Sequence, residues 1–119
     1  MIERLEIAGL HTEVDDDLRK YVVRKIGRLD RFIPRDARPS VHAAIKLKEG
    51  KAKDKNARTC EVVMHLPQET LTLKETTVNM FAAVDIVEAK LRAALKRYKD
   101  THGNPRFHRR LINRFQAGM

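Results

Sequence analysis

Apolar residues recur at two different periods along this chain, and the switches between them mark out its elements. Between residues 2 and 8, Leu5 and Ile7 alternate with Arg4 and Glu6, the period of two of a half-buried strand. Gly9 is expected to end it. Asp15 is a good helix N-cap, and Asp16 and Asp17 set negative charge against the positive end of the helix dipole. The helix is predicted to run to about Ile33, burying Leu18, Tyr21, Val22, Ile26, Leu29 and Phe32, with Pro34 as its stop. After a turn-rich link, Val41, Ala43, Ile45 and Leu47 alternate with His42, Ala44, Lys46 and Lys48, predicting a second strand over 41–48. A third over 59–66 turns Cys60, Val62, Met64 and Leu66 inward. Pro67 and Gln68 make the next turn, and a fourth strand over 69–76 points Leu71 and Leu73 inward. A long helix over 79–100 follows, capped by Thr77 or Asn79, with Met80, Val84, Val87, Leu91, Leu95 and Tyr98 in one stripe.

This order, β-α-β-β-β-α, predicts an α+β fold. The helix between the first two strands requires a right-handed crossover, so those strands are expected to be parallel neighbours. Hairpins join strands two, three and four, which makes them antiparallel. The result is a four-stranded mixed sheet with both helices packed on one face and a polar, wet face opposite. Residues 1–100 are read as one domain. Residues 101–119 are read as a basic tail, expected to be flexible, in which Arg106, Arg109, Arg110 and Arg114 are interleaved with Phe107 and Phe115. A disordered arm and a short amphipathic helix both fit that tail.

Charge changes the picture from fold to partner. The chain has 119 residues, 25 Lys plus Arg against 16 Asp plus Glu, a formal net charge of +9 and a pI near 10.1. So large an excess on a small domain creates a positive field that favours nucleic acid or an anionic surface. No apolar run approaches the roughly 18 residues of a spanning helix, and charges interrupt the amino-terminal stretch where a signal peptide would need an apolar core. The single cysteine, Cys60, excludes an internal disulfide and fits a reducing cytoplasm. Between the second and third strands, residues 49–58 carry Lys51, Lys53, Lys55 and Arg58 and read as an exposed, mobile connection.

Candidate chemistry is sparse. The sequence holds no glycine-rich phosphate loop, HExxH, paired cysteines or GxSxG. Cys60 reads as a buried small hydrophobe. His42 and His65 share the open sheet face without a third ligand for a metal, and the triplet at 15–17 reads as a cap. Met80 and Phe81 read as core. No enzyme, cofactor or metal is expected. The cations remain. Lys20, Arg24, Arg28 and Arg31 share one flank of the first helix, with Lys25 at the edge of its apolar stripe and its ammonium swung outward. On the second helix Lys90 and Arg97 fall on one shoulder; Arg92, Lys96 and Lys99 fall on the other. Two helices on one sheet face lie side by side, so their flanks are expected to combine into one positive groove or stripe. Such a surface binds phosphates in a backbone-led, salt-dependent way and favours structured RNA over stacked single strands.

Two stretches carry a family resemblance. The first is Leu18-Arg19-Lys20-Tyr21-Val22-Val23-Arg24-Lys25-Ile26-Gly27-Arg28-Leu29-Asp30-Arg31-Phe32; the second is Asn79-Met80-Phe81-Ala82-Ala83-Val84-Asp85, followed by Lys90-Leu91-Arg92-Ala93-Ala94-Leu95-Lys96-Arg97-Tyr98-Lys99. Together with the element order, they resemble the ribosome hibernation-promoting factor family, also called ribosome-associated inhibitors or ribosomal subunit interface proteins, over residues 2–99. The resemblance implies a fold similar to double-stranded-RNA-binding domains. It also implies binding in the decoding channel of the small ribosomal subunit, exclusion of messenger and transfer RNA, and preservation of inactive 70S ribosomes. The implied RNA contacts are Lys25, Arg28, Lys90, Arg97 and Lys99, with Arg24, Arg92 and Lys96 beside them. Ala93 stands where the family has an arginine. The length resembles the short type, expected to be monomeric off the ribosome. The rival readings are a general structured-RNA-binding or assembly protein and, behind it, a protein-binding transcription modulator.

Overall fold

In the computed structural model, which describes residues 1–50 and 56–103, the chain forms strand β1 (Arg4–Leu10), helix α1 (Asp16–Gly27), β2 (His42–Glu49), β3 (Arg58–Leu66), β4 (Glu69–Thr77) and helix α2 (Met80–Tyr98). The sheet order is β1-β2-β3-β4, with β1 parallel to β2 and the other pairs antiparallel. This is the expected α+β arrangement. Lys51, Lys53 and Lys55 of the proposed mobile connection, and the tail beyond Gly103, lie outside the described residues.

Register explains which residues face the helices. Ile7, Ile45, Val62 and Leu73 stand in one row across the four strands, and Leu5, Ala43, Met64 and Leu71 in the next. Side chains alternate faces along a strand, so both rows share one side of the sheet, together with buried Leu47 and Cys60. On α2, Ala83, Val84, Val87, Leu91 and Leu95 are fully buried. On α1, Val22 and Ile26 are too. No buried residue in the described core is polar or charged, so stability rests on apolar burial, with little help from interior ion pairs. Leu71 and Leu73 point inward but stay half-buried, because β4 is an edge strand. Burial pushes the Cys60 thiol up to about 12, which keeps it a neutral hydrophobe.

Both predicted caps are used. The Leu18 amide donates to Asp15 Oδ1 at 2.8 Å, and the Phe81 amide donates to Asn79 Oδ1 at 2.8 Å. Asn79 rather than Thr77 is therefore the cap of α2. Gly9 does not end β1. It pairs with Leu47 inside the strand, and a Cβ there would stand 2.5 Å from the Thr12 carbonyl oxygen. Glycine is needed for the close return of the chain, which turns through His11 at φ 59°.

The first helix ends earlier than its apolar spacing suggests. It stops at Gly27, and Arg28–Phe32 form a 3-10 turn, closed by Ile33 N–H donating to the Asp30 carbonyl at 2.9 Å. Glycine disfavours a continuing α-helix, and the tighter winding still buries Leu29 and Ile33. Residues three apart eclipse in a 3-10 turn, so Arg28 and Arg31 stand on the same side. The second helix also changes pitch at its end, passing into a π turn over Lys99–Gly103. The Tyr98 hydroxyl donates to the Pro67 carbonyl at 2.8 Å and ties that end to the β3–β4 hairpin.

Candidate nucleic-acid interface

The groove between the two helices is built from both cationic flanks. Arg24, Lys25, Arg28, Arg31 and Arg92 line a space of about 570 Å³, with Leu29 and Glu88. Arg24 and Lys25 come from the last turn of α1, Arg28 and Arg31 from the 3-10 turn, and Arg92 from the facing side of α2. The apolar stripes fix this geometry. Once Val22, Ile26, Val87 and Leu91 are buried, the polar flanks between the helices have only each other and solvent to face. The arrangement can hold a run of phosphates: guanidinium groups bind phosphate oxygens in a bidentate way.

Carboxylates and aromatic rings organise these cations. Asp85 of α2 accepts a hydrogen bond from the Tyr21 hydroxyl and lies 3.4 Å from Lys25 Nζ. Tyr21 also packs edge-on against Phe81, with ring centres 5.0 Å apart. The Arg24 guanidinium and the Lys25 ammonium lie 5.5 and 5.7 Å from the Tyr21 ring centre. Glu88 sits 3.9 Å from Arg92 one turn away. At the other end, Phe32 has Arg31 at 4.8 Å and Lys96 at 5.4 Å from its ring centre.

The structure thus brings together Arg24, Lys25, Arg28 and Arg92, with Lys96 beside them at Phe32. It does not bring Lys90 and Arg97 into that groove. Lys90 pairs with Glu75 of β4, and Arg97 lines a separate space of about 280 Å³ with Glu69, Leu71 and Tyr98. The two shoulders of α2 face opposite ways: one toward α1, the other toward the sheet edge. Lys99 is exposed in the π turn. The expectation of one shared groove is therefore corrected to two cationic surfaces on either side of α2. Ala93 is exposed between them. Phe81, read as core, is 40% exposed, because Tyr21 covers only one edge of its ring.

Sequence reasoning put Arg31 on the cationic flank of the first helix but not among the RNA contacts, and it did not single out Asp85 and Glu88 as holders of cations. Arg31 was legible in principle: a glycine at 27 and a proline at 34 leave room for a 3-10 turn that aligns positions 28 and 31. His42 and His65, expected on neighbouring strands of the open face, are directly paired, with stacked rings 5.7 Å apart. Among the described residues no group of three or more His, Cys, Asp or Glu is placed to hold a metal ion, and no helix is long and apolar enough to cross a membrane.

Comparison with known proteins matches residues 5–102 to the family described as Sigma 54 modulation protein / S30EA ribosomal protein. The chain belongs to this family. It is 30% identical over 96 residues to a ribosome hibernation promotion factor of Lactococcus lactis, covering 81% of this chain and 49% of that protein. The factor of the same name from Staphylococcus aureus is also 30% identical over 96 residues, covering 81% and 48%. The chain spans about half the length of these curated relatives. Among solved structures, the N-terminal domain of Thermus thermophilus Protein Y matches with a TM-score of 0.67 and 28% identity, over 82% of this chain and 97% of that one. A ribosomal subunit interface protein from Coxiella burnetii matches with a TM-score of 0.66 and 22% identity, over 81% and 97%, a likeness of fold alone. The S30EA family match covers β1 from Leu5 onward, both helices and the groove between them.

The groove has a spectroscopic handle. The chain has two tyrosines. The hydrogen bond to Asp85 raises the Tyr21 hydroxyl above its ordinary value of 10, and burial raises Tyr98. A raised folded value favours the native state below about pH 10, where both states hold the proton. That advantage is lost as the pH climbs from there through the folded value, because the unfolded chain ionises first. Absorbance titration of the native protein should give a midpoint above 10 that returns to about 10 in denaturant. With Asp85→Asn, the Tyr21 component should move back toward 10. A native titration already at 10 would remove the Tyr21–Asp85 hydrogen bond.

Proposed function

We propose that this S30EA-family chain is a ribosome-binding inhibitor of translation that seats its helical face on the RNA of the small ribosomal subunit. In this reading it occupies the decoding channel, excludes messenger and transfer RNA, and holds 70S particles inactive in the cytoplasm. The observation that carries the proposal is the groove in which α1, the 3-10 turn and α2 converge four arginines and a lysine. The curated relatives' name, ribosome hibernation promotion factor, points the same way. Lys25, Arg28, Arg24, Arg92 and Lys96 contact phosphates from the groove side of α2. Lys90, Arg97 and Lys99 contact them from the sheet-edge side and the π turn, so the RNA straddles α2. The role is binding, not catalysis, and the free protein is a monomer.

Co-sedimentation tests this directly. The full chain should travel with 30S subunits and 70S particles at low salt, leave them at high salt, and be displaced by initiator transfer RNA. Protein remaining at the top of the gradient at low salt would sink the ribosome reading. Binding to any RNA duplex with equal affinity, without competition by initiator transfer RNA, would replace it with a general structured-RNA role.

A further inference from the structure

We infer that Phe32 is a positioning residue of the groove: its ring gathers a cation from each side, Arg31 of the 3-10 turn and Lys96 of α2, into one preset pair for phosphate. The inference rests on the proposed RNA-binding role and deepens it. The two cations stand 65 residues apart in the chain, yet both lie within 5.4 Å of the same ring centre. Two like charges so close repel each other, and each long side chain has several rotamers to lose. The negative face of an aromatic ring offsets both costs without supplying a carboxylate that would compete with phosphate.

Phe32 differs in this from the opposite end of the groove. There Tyr21 also has two cations near its ring, but Asp85 holds Lys25 as an ion pair. A phosphate arriving at that end must displace a carboxylate. At Phe32, no acid among the described residues pairs with either cation, so both are available without such exchange. Phe32 is itself half-buried against the core, so its ring has little freedom and its position is set by packing. The 3-10 turn matters here too: it places Arg31 in line with Arg28, extending the row of guanidinium groups toward Lys96.

A mutant cycle on the full chain, read as affinity for purified 30S subunits across a salt series, tests this. Phe32→Leu keeps an apolar side chain against the core but removes the π face. It should weaken binding about two- to fivefold with the salt slope unchanged, since no phosphate contact is deleted. Phe32→Tyr should bind as the wild type. In the Arg31→Gln/Lys96→Gln background, Phe32→Leu should cost nothing further. Equal losses in both backgrounds, or no loss in the wild-type background, would overturn the positioning role. Should Phe32→Leu fail to fold, NMR of the wild type decides: the Lys96 Hε protons should lie upfield through the ring current, and an unshifted signal overturns the inference. Reversal of Arg28 and Arg92 runs in parallel. If that leaves 30S affinity intact, the RNA-binding groove itself fails, a result distinct from failure at Phe32.

Discussion

Arg28→Glu combined with Arg92→Glu should lower affinity for 30S subunits at least a hundredfold at low salt and flatten the salt dependence. Both residues line the groove, one from each wall, so the pair removes positive charge from both sides of any bound backbone and adds negative charge. Each phosphate contact releases condensed counterions, contributing roughly 0.7–0.9 to the slope of log K against log salt. Losing two should reduce that slope by roughly 1.4–1.8. Neither side chain is core, so far-UV circular dichroism should be unchanged. The informative comparison is Lys90→Glu with Arg97→Glu, on the sheet-edge side of α2. If the RNA straddles α2, that pair weakens binding as well and flattens the slope by a similar amount. Lys90→Glu additionally sets a carboxylate against Glu75, at a small cost in stability expected for a surface position. A groove double variant with wild-type affinity and slope would show that the cations between the helices do not meet phosphate.

The fold was legible because its signals are local and repeated. Alternation in 41–48 and 59–66, the Asp15 and Asn79 caps, and the 3.6-residue stripe of α2 each needed only neighbouring residues, and each agreed with the others. The places that escaped depend on pitch or on tertiary approach. Apolar spacing alone reads Ile26, Leu29 and Phe32 equally well as α-helix or 3-10 turn, so the end of α1 moved from Ile33 to Gly27. Gly9 looks like a terminator in sequence; only the approach of the Thr12 carbonyl reveals its steric role. The cations of α2 could be sorted onto two shoulders by angle. Which shoulder faces α1 depends on how the helix lies across the sheet, and that separated Lys90 and Arg97 from the groove. Asp85 illustrates the same limit. Its negative charge looks out of place in a phosphate-binding flank until the structure sets it against Tyr21 and Lys25.

Leu91→Ala should be the most damaging single truncation in the helical layer. Leu91 is fully buried near the middle of α2, the helix that lies over β3 and β4 and whose other side walls the groove. Removing a buried leucine side chain to Cβ costs about 2–5 kcal/mol, the transfer of the lost atoms plus the cavity left behind. For a domain of this size a loss near 3 kcal/mol lowers Tm by roughly 10–15 °C. Because stability is expected at only about 5–15 kcal/mol in total, the variant should stay folded at 25 °C but melt early. Ala93→Gln, exposed two residues further on, should stay within about 0.5 kcal/mol of wild type. The pair separates the two jobs of α2. Well below its Tm, the Leu91→Ala protein should still bind 30S subunits with an unaltered salt slope, since every groove cation is retained. A Tm drop under about 3 °C would correspond to less than about 1 kcal/mol and would mean that the buried stripe of α2 does not anchor the domain. An altered salt slope in the folded variant would mean that the groove's cations depend on that anchoring for their placement.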